Sequence, residues 1–266
     1  MAGMDHGTPA AEDEAAPAEE VAPAGTPADD ATTAEAQAGA QTIINCLVSG
    51  NLEGAAALLT PNFVQSYFGV PTVYDALAGG SLEDAPYGEG TEVGDVLTYD
   101  DGSVSVDVIY AQTQYQTAAE RWTLVQDVEY WKIDNIQPIE APVPEGDTAV
   151  VGVVLTEYAF TPNVPSVTQM PVITFPLVNQ GAEDHEMVLL RLPEGVTIEE
   201  ALEAPALNEQ IEFIGFGFAA PGEESDAHFV GLEPGVYTMA CFVTTPDGEF
   251  HVDLGMFAEF EVTAAS

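Results

Sequence analysis

The C-terminal half of the chain, from about Thr148, is a series of short apolar segments separated by glycine and proline. Short segments of this kind, with turn residues at regular intervals, are typical of an all-β sandwich. One short helix is predicted over Thr197–Ala204, because Thr197 can cap its start and Glu199 and Glu200 fall in its first turn. The clearest predicted strands are Val150–Leu155, Val172–Phe175, Met187–Leu192, Val236–Cys241 and Phe257–Val262.

The preceding part of the chain changes from a helical to an extended pattern. Apolar residues between Ile43 and Leu59 recur at helical spacing, and Ser49-Gly50-Asn51 interrupts them, which predicts two short helices joined by a turn. Helices followed by a run of antiparallel strands predict an α+β domain. The predicted strands are Ser103–Val108, Arg121–Val125 and Tyr130–Ile136.

Two segments of this α+β part, "NCLVSGNLEGAAALLTPNFV" and "ERWTLVQDVEYWKIDNI", resemble the ketosteroid-isomerase-like (SnoaL-like) family. The resemblance implies a cone-shaped α+β fold that encloses a cavity. Enzymes of that family place an Asp or His base and an acidic or phenolic oxyanion donor in the cone. This part of the chain contains no histidine, and its tyrosines are interpreted as core and rim residues. We therefore expect the domain to bind a small apolar ligand or a partner protein and not to catalyse a reaction.

Composition divides the chain into four parts. Residues 1–35 consist mainly of Ala, Pro, Glu, Asp and Thr, which predicts a disordered acidic tether. The α+β domain is predicted over residues 36–141, a stiff linker over 142–147 and the β-sandwich over 148–266. No apolar run approaches the length that spans a bilayer, so we expect no direct membrane insertion. We expect an extracellular or cell-envelope protein whose signal peptide or anchor has been removed and whose N-terminal segment can serve as a tether.

The charge of the chain excludes two classes of partner. The sequence carries 45 acidic residues against three Lys and Arg residues, a formal net charge of -42. Nucleic acid and anionic lipid need cationic side chains to neutralise their phosphates, so neither is an expected partner. Repulsion among so many carboxylates destabilises a compact state unless salt or protons relieve it. We expect a protein adapted to high salt, with adaptation to acid as the alternative.

Four residues of the β-rich part have the types and the order of a copper site: His185, Cys241, His251 and Met256. Nine residues separate the cysteine from the second histidine, and four more separate that histidine from the methionine. A blue copper site uses two imidazoles and a thiolate in a trigonal plane, with a weak axial thioether. Each residue also has a simpler interpretation: the cysteine as a buried core thiol, the methionine as packing and the second histidine as a surface loop residue.

The segments around these residues, "EYAFTPN", "NQGAEDHE", "LEPGVYTMAC" and "CFVTTPDGEFHVDLGM", resemble the cupredoxin family of the plastocyanin/azurin group. The resemblance implies a Greek-key sandwich that holds one mononuclear type 1 copper ion on the four residues just named. Two features depart from the family pattern. Glu186 follows the first histidine, where many cupredoxins carry Asn, Ser or Thr that supports the thiolate. A Pro246-Asp247-Gly248 turn is expected to open the site towards solvent.

The remaining histidines and cysteines limit what the chain can do. Only His6 and His228 are left, so a second copper site for oxidase or nitrite reductase chemistry cannot be built. His228 is predicted to be an exposed structural residue, and Cys46 a core thiol with no disulfide partner. We therefore predict that the protein is not an enzyme and that it carries single electrons. The sequence does not identify its redox partner. The alternative is a cupredoxin-fold binding module that only sequesters copper or has no metal.

Overall fold

The computed structural model describes residues 25–83, 85–127 and 130–265, so most of the predicted tether lies outside the described residues. The N-terminal part contains four helices and a five-stranded antiparallel sheet with the strand order β1-β2-β3-β4-β5. No helix in the described part of the chain is both long and apolar enough to cross a bilayer. The elements are β1 Thr26–Pro27, α1 Asp30–Val48, α2 Leu52–Ala56, α3 Pro61–Phe68, α4 Val73–Ala78, β2 Glu92–Thr98, β3 Val104–Ala111, β4 Thr117–Asp127 and β5 Tyr130–Ile139.

The predicted tether boundary at Glu35 is wrong, because α1 already begins at Asp30. Asp29 caps this helix, and its side chain accepts a hydrogen bond from the backbone N–H of Thr32 at 2.8 Å. The segment is rich in alanine, which is typical of a disordered tether, but alanine is also a strong helix former. Ala36 and Ala40 are fully buried in the domain core. The predicted break at Ser49–Asn51 is confirmed, since it separates α1 from α2.

The core of the N-terminal part is formed where the helices pack on one face of the sheet. Trp122 on β4 is fully buried at its centre, together with Ile43 and Ile44 from α1. Cys46 is only half-buried, so its predicted role as a core thiol is wrong. It lies one position away from the buried stripe of α1 and contacts the Asn51 side chain at 3.8 Å. The α+β order agrees with the prediction, whereas the ketosteroid-isomerase-like cone stays a prediction.

The C-terminal part consists of short strands and one segment with two short helices. Its only α-helices among the described residues are α5 and α6, and α5 has the predicted capping box between Thr197 and Glu200. The elements are β6 Thr148–Val150, β7 Val153–Thr156, β8 Ala159–Pro162, β9 Ser166–Thr168, β10 Val172–Asn179, β11 His185–Arg191, α5 Ile198–Glu203, α6 Pro205–Asn208, β12 Glu212–Ala219, β13 Glu224–Val230, β14 Gly235–Ala240 and β15 Phe257–Thr263.

These strands form two sheets that share one apolar core. The first sheet has the order β13-β10-β7-β8, with β6 also paired to β10, and the second has the order β12-β11-β14-β15-β9. Phe175 of the first sheet packs edge-on against Phe260 of the second, with ring centroids 5.3 Å apart. Burial of large side chains from both inner faces contributes about 25 cal/mol for each Å² of apolar surface. The predicted β-sandwich is therefore present in this part of the chain.

The loop between β3 and β4 joins the two parts. Gln116 is buried, and its carboxamide makes two hydrogen bonds with the backbone of Phe216 on β12, donating at 2.6 Å and accepting at 2.9 Å. The backbone carbonyl of Tyr115 accepts from the N–H of Val230 at 2.8 Å. Thr113 donates to the carbonyl of Ile214 at 2.6 Å. The two parts thus share a specific polar contact, as expected from the short linker.

All three Lys and Arg residues of the chain form ion pairs. Arg121 binds Asp107 through two hydrogen bonds of 2.6 and 2.8 Å, and Lys132 lies 2.9 Å from Asp127. Arg191 lies within 4 Å of two glutamates. Because the chain has 45 acidic residues and only these three Lys and Arg residues, most carboxylates have no cationic side chain to balance them.

Candidate metal centre

The register of the second sheet brings three strand ends together. Val188 of β11 pairs with Ala240 of β14, and Ala240 pairs with Phe257 of β15. Because both pairings are antiparallel, the start of β11 and the start of β15 lie beside the end of β14. His185, the first residue of β11, therefore lies next to Cys241, which directly follows β14.

Two imidazoles and the thiol converge at this point. The Nδ1 atoms of His185 and His251 are 3.2 Å apart, and the Sγ atom of Cys241 lies 3.4 Å from Nδ1 of His251. The three donor atoms lie within 4.8 Å of one another, and all three side chains are fully buried. The structure thus brings together three of the four residues predicted from the sequence.

This spacing fits a single bound cation. With metal–nitrogen and metal–sulfur bonds of about 2.0 and 2.3 Å, donors at tetrahedral to trigonal angles lie about 3.3 to 3.8 Å apart. Of the two separations, 3.4 Å lies at the short end of that range and 3.2 Å lies just below it. The Nδ1 atoms of both imidazoles and the thiol sulfur lie close together. One soft or borderline cation can bind all three of these donors.

Met256 is placed by backbone hydrogen bonds to both neighbouring donors. Its N–H donates to the carbonyl of His251 at 2.9 Å, and its own carbonyl accepts from the N–H of Cys241 at 3.2 Å. The side chain is fully buried in the sandwich core. Its role as an axial ligand stays a prediction, which this position favours.

The loop between the cysteine and the second histidine folds back on itself. Thr245 accepts from Gly248 at 2.9 Å, which closes the predicted turn, and His251 donates to the carbonyl of Val243 at 2.9 Å. Thr244 and Phe250 form a β-bridge between the two arms. The expected opening towards solvent is therefore wrong. The turn lies at the exposed tip of a small hairpin, while the three donor side chains remain fully buried.

Glu186 contributes in a way that the sequence did not indicate. Its backbone N–H donates to Sγ of Cys241 at 3.5 Å, whereas its carboxylate accepts from the N–H of Phe242 at 3.0 Å. The carboxylate thus ties β11 to the start of the loop. Burial raises the pKa of Glu186, and the hydrogen bond from Phe242 acts in the opposite direction.

Burial also shifts the protonation of the metal-binding groups. It raises the pKa of the Cys241 thiol, which the N–H groups of Glu186 and Val243 partly counteract. It lowers the pKa of His185, and the neighbouring imidazole of His251 lowers that pKa further. Desolvation therefore favours the neutral forms, whereas a bound cation favours the thiolate and leaves the imidazoles neutral.

Glu183 is a further contributor that the sequence analysis did not find. Its Oε2 atom lies 2.9 Å from Nε2 of His251, at ion-pair distance but without the alignment of a hydrogen bond. The ring of Tyr158 packs edge-on against the same imidazole, with centroids 5.2 Å apart. The carboxylate lies on the Nε2 side of the ring, away from the Nδ1 donor atom, and both side chains restrict the orientation of the imidazole.

The N-terminal part contains an apolar cavity of about 110 Å³. Phe63, Tyr87 and Trp122 belong to its wall. The carboxylate of Glu120 accepts hydrogen bonds from Tyr87 at 2.6 Å, Tyr110 at 2.9 Å and the indole of Trp122 at 3.1 Å. Burial raises the pKa of both tyrosines, and the charge of Glu120 raises it further. A cavity is thus present in this part of the chain, and Tyr87 in its wall donates to a carboxylate.

Comparison with known proteins gives distant structural neighbours. Auracyanin B is 19% identical with a TM-score of 0.32, covering 45% of this chain and 91% of its own. Auracyanin A, a "blue" copper protein from Chloroflexus aurantiacus, is 20% identical with a TM-score of 0.30, covering 45% and 100%. A multicopper oxidase from Campylobacter jejuni is 14% identical with a TM-score of 0.28, covering 61% and 41%. No family model and no curated protein matches the sequence. These neighbours therefore assign no chemistry to this chain.

Proposed function

We propose that the chain is an extracytoplasmic copper protein that transfers single electrons through one mononuclear copper site. Two imidazole Nδ1 atoms and one thiol within 4.8 Å, all fully buried, carry this proposal. Copper bound there would supply a one-electron couple, and the donor set suits both of its oxidation states. His185, Cys241 and His251 would hold the ion, with Met256 as the weak axial ligand.

The surrounding residues support transfer of an electron without rearrangement. Each donor is held at a strand end or by a backbone hydrogen bond of the loop, so the ligand positions are fixed by the sheet. Glu186 and Glu183 restrain Cys241 and His251 from outside the donor set. A rigid site of this kind suits a carrier better than an enzyme, because its three donor side chains are fully buried.

Copper titration tests the proposal. Addition of Cu(II) to the full chain is expected to give one strong thiolate-to-copper absorption band at about 600 nm, as His₂Cys ligation does. Cys241→Ser should abolish the band, whereas Cys46→Ser, which removes the other thiol of the chain, should leave it unchanged. A band that survives Cys241→Ser would show that the site assignment is wrong.

A copper-sequestering module is the second candidate, since the same donors also retain Cu(I). The two functions differ in reversibility. A carrier is expected to lose and regain the absorption band over repeated reduction and oxidation without releasing copper, whereas a sequestering protein holds one oxidation state. Binding without a reversible couple would favour sequestration, and a colourless protein with no stoichiometric copper would exclude both.

For the N-terminal part we propose binding of a small apolar ligand in the cavity beside Trp122. The wall is mostly apolar, and the donor groups of Tyr87 and Trp122 in it are already hydrogen-bonded to Glu120. Ala55 also lines the cavity and is buried. Ala55→Leu should fill part of the space and weaken binding of an apolar fluorescent probe, as measured by titration. Unchanged binding would place the ligand elsewhere.

A further inference from the structure

A second group of metal-binding side chains lies between the two parts of the protein. Asp226 and His228 lie on β13 of the sandwich, and Glu140 directly follows β5 of the N-terminal part. Each offers one donor atom, and the three atoms lie within 4.8 Å of one another. None of these residues belongs to the copper site proposed above.

His228 is the buried member of this group. It is 8% exposed, so its prediction as an exposed residue is wrong. Its Nδ1 atom lies 2.9 Å from the Thr174 hydroxyl of the neighbouring strand β10. Its Nε2 atom is also buried, and it has no hydrogen-bond partner among the described residues. A buried ring nitrogen without a partner is unfavourable unless a ligand completes it.

The hydroxyl of Thr174 explains how this nitrogen can bind a cation. When Nδ1–H donates to the Thr174 hydroxyl, the proton is absent from Nε2, whose lone pair is then available to a cation held by the carboxylates of Glu140 and Asp226. Metal-ligating histidines generally donate their other ring N–H in this manner. The polar contact on one side of the ring thus prepares the other side for coordination.

The surroundings of the group favour a cation. The three residues line a crevice of about 830 Å³ between the two parts of the chain. Glu120, Glu223 and Glu224 also line it, and no Lys or Arg does so among the described residues. Carboxylates gathered at close range in a concave site focus a negative potential that concentrates cations.

We propose that Glu140, Asp226 and His228 bind one Zn²⁺ ion that links the N-terminal part to the sandwich. One imidazole and two carboxylates are usual zinc ligands, whereas Mg²⁺ and Ca²⁺ prefer oxygen alone. Ligands of a tetrahedral zinc ion lie about 3.3 Å apart, and the separations of the three donor atoms, each no more than 4.8 Å, allow this distance to be reached. Both carboxylate side chains are exposed and can rotate inwards, while the buried imidazole stays in place.

Equilibrium dialysis of the full chain against Zn²⁺, in high salt and excess Mg²⁺, tests the proposal. Salt and Mg²⁺ suppress diffuse binding to the acidic surface, and Cys241→Ser as background weakens zinc binding at the thiol site. In that background, Glu140→Gln and Asp226→Asn should each weaken binding at least tenfold, as should His228→Gln. Glu223→Gln is the matched control, because it removes a carboxylate from the same crevice outside the cluster. Equal weakening by Glu223→Gln would show diffuse acidic binding and overturn the proposal.

Two further measurements locate the ion. Anomalous scattering at the zinc edge should give a peak at bonding distance from Nε2 of His228, and a peak only at Cys241 would contradict the assignment. Zn²⁺ should also raise the melting temperature followed by the fluorescence of Trp122 and Trp131, which both lie in the N-terminal part. Because Glu140 is exposed, Glu140→Gln should fold normally and lose this increase, and an increase that persists in it would overturn the link.

Discussion

Replacement of Glu183 by glutamine is expected to raise the reduction potential of the proposed copper site. The Glu183 carboxylate lies 2.9 Å from Nε2 of His251, on the side of the ring away from the donor atoms. A copper ion at about 2 Å from Nδ1 would then be about 6 to 7 Å from the carboxylate oxygen. The negative charge stabilises Cu(II) more than Cu(I), so its removal makes reduction easier.

The size of the shift follows from that distance. Two unit charges about 6.5 Å apart interact by about 2.5 kcal/mol at an effective dielectric constant of about 20, and by about half of this at 40. The Glu183 side chain is 30% exposed, which favours the weaker value. For a one-electron couple, about 1.3 kcal/mol corresponds to about 55 mV. We therefore expect a rise of about 50 mV in Glu183→Gln.

A redox titration followed through the thiolate-to-copper band measures this shift. Glu249→Gln is the matched control, because it removes the same charge from an exposed position of the loop before His251. Solvent and salt screen that charge, so its removal should change the potential much less. A potential that falls in Glu183→Gln, or rises equally in both variants, would refute a specific role for Glu183.

Four other predictions concern the axial ligand, the contact between the two parts, their independence and the surface charge. Met256→Leu should keep the colour but raise the potential in the same titration, because a thioether is only a weak axial ligand. Gln116→Ala should lower the free energy of unfolding by about 1–3 kcal/mol, since two buried hydrogen bonds are lost. Gln114→Ala, which loses one exposed contact, should have little effect in the same urea titration followed by tryptophan fluorescence. Residues 147–266 alone should bind copper as tightly as the full chain in calorimetric titration, and loss of binding would contradict the assignment of all ligands to the sandwich. Removal of salt at neutral pH should lower the melting temperature, whereas a salt-independent melting curve would favour acid adaptation.

The sequence was most informative where the structure depends on local pattern. Five strands of the sandwich and the capped helix α5 follow from apolar segments and turn residues, and they were predicted close to their observed positions, whereas β8, β9 and β12 were not predicted. His185, Cys241 and His251 were predictable because strand ends position them and their types are uncommon in this chain. The start of α1 was missed because an alanine-rich acidic segment has the composition of a disordered region and also a high helix propensity.

The features that the sequence did not reveal depend on contacts between distant residues. Glu183 is one of 45 acids, and nothing in its neighbourhood distinguishes it until the loop folds over His251. The burial of His228 depends on Thr174, and its proximity to Glu140 depends on how the two parts pack. These positions are set by the tertiary structure, so they cannot be predicted from the spacing of residues along the sequence.

The convergence of strand ends has a consequence for biosynthesis. His185 belongs to the first strand of the site, but the thiol, the second imidazole and the predicted thioether all lie more than 50 residues later, between positions 241 and 256. Pairing of β15 with β14 fixes this final segment. A nascent or prematurely terminated chain therefore lacks the assembled donor set even when most of the sandwich strands have been made. The proposed site can therefore retain copper only after β15 has been made and has paired with β14.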